Sequence, residues 1–190
     1  MSKSYKTELR KEFKNIRNNI NSYVRHEKSE LIRQALYELL SEYKTIFVYK
    51  SYLSEVDTEG IIKDLFLSNK KVLIPKCDLK SETMSAVEIL PENSFKLNDY
   101  GILESDTDYI YSEKIDAIIL PGLVFDKKGN RIGYGKGYYD KFINSLKYKP
   151  VLIGICFYEQ LIDEISDCNE YDVKLDYVVT DSKILKLICE

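Results

Sequence analysis

Short apolar runs alternate with helical patterns through most of this chain, and that alternation restricts the fold more than any other feature. The runs TIFVY (45–49), KVLIP (71–75), MSAVEIL (84–90), IDAIIL (115–120), VLIGIC (151–156), YVVT (177–180) and ILKLIC (184–189) are short and rich in Ile and Val. Runs of this kind, too short for helices and apolar on both alternating faces, are the signature of strands covered on both sides. Helical patterns at 58–68 and 138–147 fall between them. The chain is therefore expected to be α/β, a sandwich whose central sheet is buried on both faces.

The N-terminal quarter reads differently. Leu9, Phe13, Ile16 and Ile20 recur at intervals of four, three and four residues, which predicts a helix over about 4–20. A second helix fits 23–41, where Leu31, Ile32, Ala35, Leu36, Leu39 and Leu40 form a wide stripe and Ser22 stands where a cap is needed. Residues 91–114, with Pro91, Asn93, Asn98, Gly101 and several acids, read as an irregular excursion. At 190 residues, with no internal repeat and no low-complexity linker, one domain is expected.

Several function classes are disfavoured. No stretch approaches the roughly 18 unbroken apolar residues of a membrane span, and MSKSYKTELRKEF lacks a signal-type apolar run, so a cytoplasmic location away from membranes is expected. Net charge is −3 and the 28 Lys and Arg are spread out, which gives no footprint for nucleic acid. Cys77, Cys156, Cys168 and Cys189 are scattered and read as reduced core thiols. His26 is the lone histidine, in a charged helical stretch, so neither a histidine zinc site nor a Ser-His-Asp triad is supported. No long apolar stripe is left unassigned to the core, and a monomer is expected.

Chemistry concentrates in GNRIGYGKGYYDKF, 129–142, which holds four of the eight glycines. Gly129, Gly133, Gly135 and Gly137 lie between a strand and a helix, the layout in which α/β sheets bind ligands beyond the carboxyl ends of their strands. Crowded backbone amides and a helix N-terminus suit phosphate. Neither the Walker pattern nor the dinucleotide G-x-G-x-x-G fits the spacing, and glycine clusters also make simple turns. Arg131 and Lys136 add a fork and a point charge suited to phosphate. Asp140 reads either as a helix N-terminal acid or as a carboxylate brought beside phosphates by a divalent cation. Lys6 and Arg10, one helical turn apart, read on their own as a solvated face.

The stretch LPGLVFDKKGNRIGYGKGYYDKF (120–142) resembles the 5-formyltetrahydrofolate cyclo-ligase family, also called methenyltetrahydrofolate synthetases. KTELRKEF near the start, YLSEVDTEGIIKDLF (52–66), KVLIP (71–75) and YDVKLDYVVTD (171–181) follow in the family's order, so the similarity covers nearly the whole chain. The resemblance implies a Rossmann-like three-layer α/β/α sandwich with a mostly parallel central sheet and an N-terminal helical pair. It implies conversion of 5-formyltetrahydrofolate, with or without a polyglutamate tail, and ATP to 5,10-methenyltetrahydrofolate, ADP and phosphate, with Mg²⁺ required.

Residue by residue, the resemblance assigns ATP to Lys6, Arg10, Arg131, Gly133, Tyr134, Gly135, Lys136, Gly137, Tyr138 and Tyr139. It assigns Mg²⁺ to Asp140 and Asp172, and folate to Glu55 and Tyr138. Arg131, Lys136 and Tyr138 are the residues expected to act in the chemical step. Tyr52, Tyr100 and Tyr138 are the aromatic candidates for packing on pteridine or adenine, with no choice between them from sequence. The chain departs from the family at Tyr171, where members often carry His before the second metal aspartate, and at Ser105, where many carry Pro. A kinase or ligase of another small anion, or a folate- or nucleotide-binding protein without activity, would use similar residues.

Overall fold

The computed structural model describes residues 2–78, 80–92, 95–97, 103–105, 109–169 and 171–187. Two helices lead, α1 (Ser2–Asn19) and α2 (Ser22–Leu39). The start of α2 is capped by Asn21, whose side chain accepts from the Tyr23 amide, and not by Ser22, which is already the first helical residue.

The main sheet has seven strands in the order β12-β11-β9-β6-β1-β2-β3. These are β1 (Thr45–Val48), β2 (Lys71–Asp78), β3 (Thr83–Ile89), β6 (Ala117–Leu120), β9 (Val151–Ile155), β11 (Tyr177–Val179) and β12 (Ile184–Lys186). The five central strands pair in parallel, and β3 and β12 close the two edges antiparallel. Alternate residues of each strand go to opposite faces. Ile46, Val48, Val72, Ile74, Ile119 and Ile153 pack with Ile32 and Leu36 of α2 and with Ile61 and Leu65 of α3 (Glu59–Leu67). Phe47, Leu73, Ile118, Leu152 and Val178 pack on the other side with Phe142 and Ile143 of α4 (Tyr138–Ser145). The result is the expected three-layer sandwich.

Helix α1 covers neither face. Its Phe13, with Leu9 and Ile16, joins Leu123, Val124, Ile132 and Ile165 in a separate cluster. That cluster sits on a small sheet of order β10-β7-β8, formed by β7 (Val124–Asp126), β8 (Arg131–Ile132) and β10 (Leu161–Ile162). The segment expected to be one long loop before α4 thus contains a hairpin, because Asp126 ties its turn. Asp126 is fully buried and accepts from the amides of Lys128 (2.9 Å), Asn130 (2.8 Å) and Ile165 (2.8 Å) and from Asn130 Nδ2 (2.7 Å).

Within 91–114, expected to be irregular, the described residues include an antiparallel pair, β4 (Phe95–Leu97) with β5 (Leu103–Ser105), and Ile110 bridges to Val87 on β3. Of the cysteines, Cys156 is a buried core thiol as expected, Cys77 is half-buried and Cys168 is exposed. Cys189 lies outside the described residues. Among the described residues no helix is long and apolar enough to cross a membrane.

Candidate functional site

The order of strand addition reverses between the parallel neighbours β1 and β6: from β1 the sheet grows through β2, and from β6 it grows the opposite way through β9 and β11. At such a switch point the connections leave the strand ends in opposite directions and open a crevice. A cleft of about 580 Å³ lies there, lined by Tyr49 and Lys50 just beyond β1 and by Pro121 just beyond β6. Pro75, Cys77 and Met84 of the β2–β3 hairpin supply an apolar wall.

Every residue assigned to the site and lying within the described part lines this one cleft: Lys6, Arg10, Glu55, Arg131, the run 133–140, and Asp172. Tyr52 lines it too, while Tyr100 lies outside the described residues. Five cationic side chains, Lys6, Arg10, Lys50, Arg131 and Lys136, face three carboxylates, Glu55, Asp140 and Asp172, so the cleft favours an anion.

The glycine run takes a shape that L side chains resist. Gly135 has φ +103° and Gly137, the N-cap of α4, has φ +68°. A Cβ on Gly135 would stand 3.4 Å from Arg10 Cζ, so the loop also lies close under α1. Arg10 fixes that approach by donating from Nε to the Gly133 carbonyl at 2.9 Å.

Arg131 opens β8 and is 9% exposed. It donates from Nη2 to Asp140 Oδ1 at 3.0 Å and lies 5.8 Å from the Tyr139 ring centroid. Its Nε is buried without a hydrogen-bond partner among the described residues. A buried guanidinium N–H left unmatched in an anion-favouring cleft is a donor waiting for a ligand oxygen. Lys136 is the opposite case, an exposed ammonium with only a loose pairing to Glu82 at 3.6 Å. Tyr139 is half-buried and packs against both face clusters, with Phe47 at 6.2 Å. Burial first, and then the negative charge of Glu55, push its phenol well above the ordinary tyrosine range.

The two aspartates are held by cations. Asp140 takes Arg131 and, at 3.3 Å, the Val173 amide. Asp172 Oδ2 accepts from Lys6 Nζ at 2.7 Å and from the Asn169 amide at 2.9 Å. Tyr171 is exposed, and its carbonyl rather than its ring is engaged, by Asn144 Nδ2, so Asp172 keeps its place without a histidine before it. Among the described residues no group of three or more His, Cys, Asp or Glu gathers to hold a metal. Two carboxylates lining one cleft, Asp140 and Asp172, are a donor set that suits Mg²⁺, a cation that takes oxygen ligands.

Glu55 lies at the end of the turn after β1, with its side chain 7% exposed. Oε1 accepts from Tyr134 OH at 2.5 Å and Oε2 from the Tyr52 amide at 2.9 Å. Burial raises its pKa above the usual glutamate value, against the pull of the Tyr134 hydroxyl, the Arg17 charge and the Tyr52 amide. Tyr134, assigned to ATP through its place in the glycine run, turns its hydroxyl to this carboxylate.

Two functional-looking cations escaped the sequence reading. Lys50 lies just beyond the first strand, after Tyr49, is almost fully buried, pairs with Glu59 and lies 4.6 Å from the Phe95 ring centroid. Arg17 is 2% exposed. Its signal was the spacing 6-10-13-17, which puts it on one helix face with Lys6 and Arg10.

A doubly wound sheet with a glycine-rich, cation-lined crevice at its switch point defines an α/β protein built to bind a phosphate-bearing ligand. The particular family is shown by comparison: the sequence profile described as the 5-formyltetrahydrofolate cyclo-ligase family matches residues 2–181, and the chain belongs to that family. It is 35% identical over 148 residues, 72% of each chain, to the 5-formyltetrahydrofolate cyclo-ligase of Mus musculus. It is 26% identical over 182 residues to that of Haemophilus influenzae, covering 92% of this chain and 97% of the other. The NMR structure of 5,10-methenyltetrahydrofolate synthetase from Aquifex aeolicus superposes with a TM-score of 0.84 at 26% identity, over 97% of this chain and 94% of that one. The Mycoplasma pneumoniae synthetase gives a TM-score of 0.72 at 25% identity, over 93% and 98%.

Proposed function

We propose that this protein, acting as a monomer, converts 5-formyltetrahydrofolate to 5,10-methenyltetrahydrofolate in an ATP- and Mg²⁺-dependent reaction that releases ADP and phosphate. The observation that carries the reading is the convergence on one cleft of a phosphate-type loop, two aspartates and a buried glutamate, in a chain of the cyclo-ligase family. The chemical obstacle is the formamide, whose nitrogen lone pair is delocalised into the carbonyl and leaves a poor electrophile. The formyl oxygen attacks the γ-phosphorus of ATP and the bond to the β-phosphate bridging oxygen breaks, releasing ADP. The iminium phosphate so formed is attacked at carbon by the second folate nitrogen. That nitrogen loses its proton, the carbon–oxygen bond breaks, and phosphate departs with the oxygen.

In phosphoryl transfer a protein contributes mainly position and charge. Arg131, with its unmatched Nε, and Lys136 neutralise the transferring phosphoryl group. Lys6, Arg10 and the amides of 133–138 hold the remaining phosphates, and the Tyr138 ring lies between nucleotide and folate. Glu55 accepts from the amino and amide edge of the pterin. Asp140 and Asp172 would hold Mg²⁺, which when bound supplies charge neutralisation at the phosphate oxygens. Mixing the protein with 5-formyltetrahydrofolate, Mg²⁺ and ATP should give an ATP-dependent near-ultraviolet band from the methenyl product. A flat trace with both ligands bound would refute the assignment, and ADP release without folate would point to a kinase.

A further inference from the structure

Arg17 lines no part of the cleft, yet each of its hydrogen bonds ends on a segment that does or on the strand end beside it. Nε donates to Ser54 Oγ at 3.0 Å, Nη1 to the Gly122 carbonyl at 3.4 Å and Nη2 to the Tyr134 hydroxyl at 2.8 Å. The Ser54 hydroxyl in turn donates to Asn18 Oδ1 at 2.5 Å, so the glutamate turn is tied to α1 from both sides. A buried guanidinium needs a compensating charge and hydrogen-bond acceptors close by. Here the carboxylate, Glu55, stands 4.0 Å from Nη1, and the Tyr134 hydroxyl fills the gap by accepting from Arg17 and donating to Glu55. The Arg17 guanidinium also lies 5.7 Å from the Tyr134 ring centroid.

Tyr134 belongs to the glycine run, between Gly133 and Gly135, whose backbone is the natural cradle for phosphates. Glu55 belongs to the turn that faces folate. One hydroxyl therefore joins the two substrate segments, and one buried cation on α1 holds that hydroxyl. We propose that Arg17 is a positioning residue that couples the two halves of the cleft: through Tyr134 it makes the ordering of the phosphate loop by nucleotide orient Glu55 for the pterin, and the reverse. The proposal rests on the assignment of ATP to the loop and of the formylfolate to Glu55.

Coupling of this kind is reciprocal, so a nucleotide that tightens folate must be tightened by folate to the same degree. The groups facing Glu55 are Arg17 from α1, Tyr134 from the loop, Tyr49 from just beyond β1 and Tyr139 from α4; the two last have phenols pushed up by burial and stay neutral. Arg17 is thus the charge that keeps the relay oriented.

The test is calorimetric titration of 5-formyltetrahydrofolate with and without a non-hydrolysable ATP analogue and Mg²⁺, in the native protein and in Tyr134→Phe, Arg17→Lys and Arg17→Met. Native protein should bind folate about tenfold more tightly with the analogue present, inside the range typical of coupled sites. Tyr134→Phe, which removes one oxygen from a half-exposed ring, should bring that factor close to one. Arg17→Lys, which keeps the charge but loses the fork, should fall between, and Arg17→Met should match Tyr134→Phe. A native factor near one, or a native-like factor in Tyr134→Phe, would overturn the coupling while leaving the enzyme assignment intact. Failure of the native protein to bind folate or the analogue would overturn both.

Discussion

Replacing Asp126 with Asn tests whether the site depends on a buried carboxylate that never touches it. Asp126 accepts four N–H donors, two at each oxygen: Lys128 and Asn130 amides at Oδ1, and Asn130 Nδ2 and the Ile165 amide at Oδ2. An amide of the same shape accepts at one end only. Its NH₂ would face two donors, and leaving a buried donor unmatched costs about 1–3 kcal/mol. Two such losses give about 2–6 kcal/mol, and for a chain of this size each kcal/mol moves the melting temperature by about 2–4 °C. Taking about 4 kcal/mol, Asp126→Asn should melt about 8–16 °C lower.

The functional consequence follows from place. Asp126 ends β7 and Arg131 opens β8, so the turn that Asp126 ties also aims the buried guanidinium into the cleft. Rate measured well below the variant's transition should fall even though the population is folded. The assay pairs a circular-dichroism melt with initial rates of methenyl formation at low temperature. A variant that melts within about 2 °C of native protein would show that the four contacts contribute less than one kcal/mol together and would refute the reasoning.

Lys136→Ala should leave the melt unchanged, because its side chain is 60% exposed and loosely paired, yet lower kcat/KM about 10²-fold or more; near-native turnover would remove its role. Burial of Glu55 raises its folded pKa above the unfolded one, so its contribution to stability is present at low pH and lost as pH rises through the folded value. Its ionised form is the pterin acceptor, so folate affinity should fall as pH drops through a value above the ordinary ~4.3, and Tyr134→Phe should move that limb further up; a pH series of Kd values would contradict this if the limb sat at the ordinary value. In a Cys189→Ser background a thiol reagent should reach exposed Cys168 first, Cys77 more slowly and less still with folate bound, and Cys156 only on unfolding, since burial pushes its thiol pKa well up. Gly154→Ala should destabilise by about 1–3 kcal/mol in urea, because its Cβ would come within 2.6 Å of Phe125 and Leu175 in a core without room to yield.

Much of the fold was legible because strands covered on both faces leave a mark in composition alone. All of β1 is buried, and TIFVY could be little else. The β4–β5 strand pair was not legible: three-residue strands are too short to show alternation, and a Pro, Asn and Gly background hides them. The β7–β8 hairpin had a usable turn signal, DKKGN after the apolar run LVF, but the strand beyond it is only Arg131–Ile132, too short to show alternation. Ser22 lost the cap to Asn21 by one residue, the usual uncertainty of helix ends.

The site was legible where chemistry is local and illegible where it is not. Gly133, Lys136 and Asp140 sit within one stretch, and their residue types alone suggest phosphate. Arg17, by contrast, meets partners 37 and 117 residues away, and Lys6 meets Asp172 at a separation of 166. What local sequence offers for α1 is only that Lys6, Arg10, Phe13 and Arg17 share a face. A charged helix face is normally solvated, so that pattern carries little weight until something is known to lie against it. The one discriminating mark was Phe13 between the cations: a face that must bury Phe13 against Val124 and Ile132 brings its flanking arginines down onto the same layer. Arg10 then reaches Gly133 and Arg17 reaches Tyr134, one on each side of the buried ring. The apolar contact sets the depth of the helix, and the cations find the glycine loop because that depth puts it within their reach.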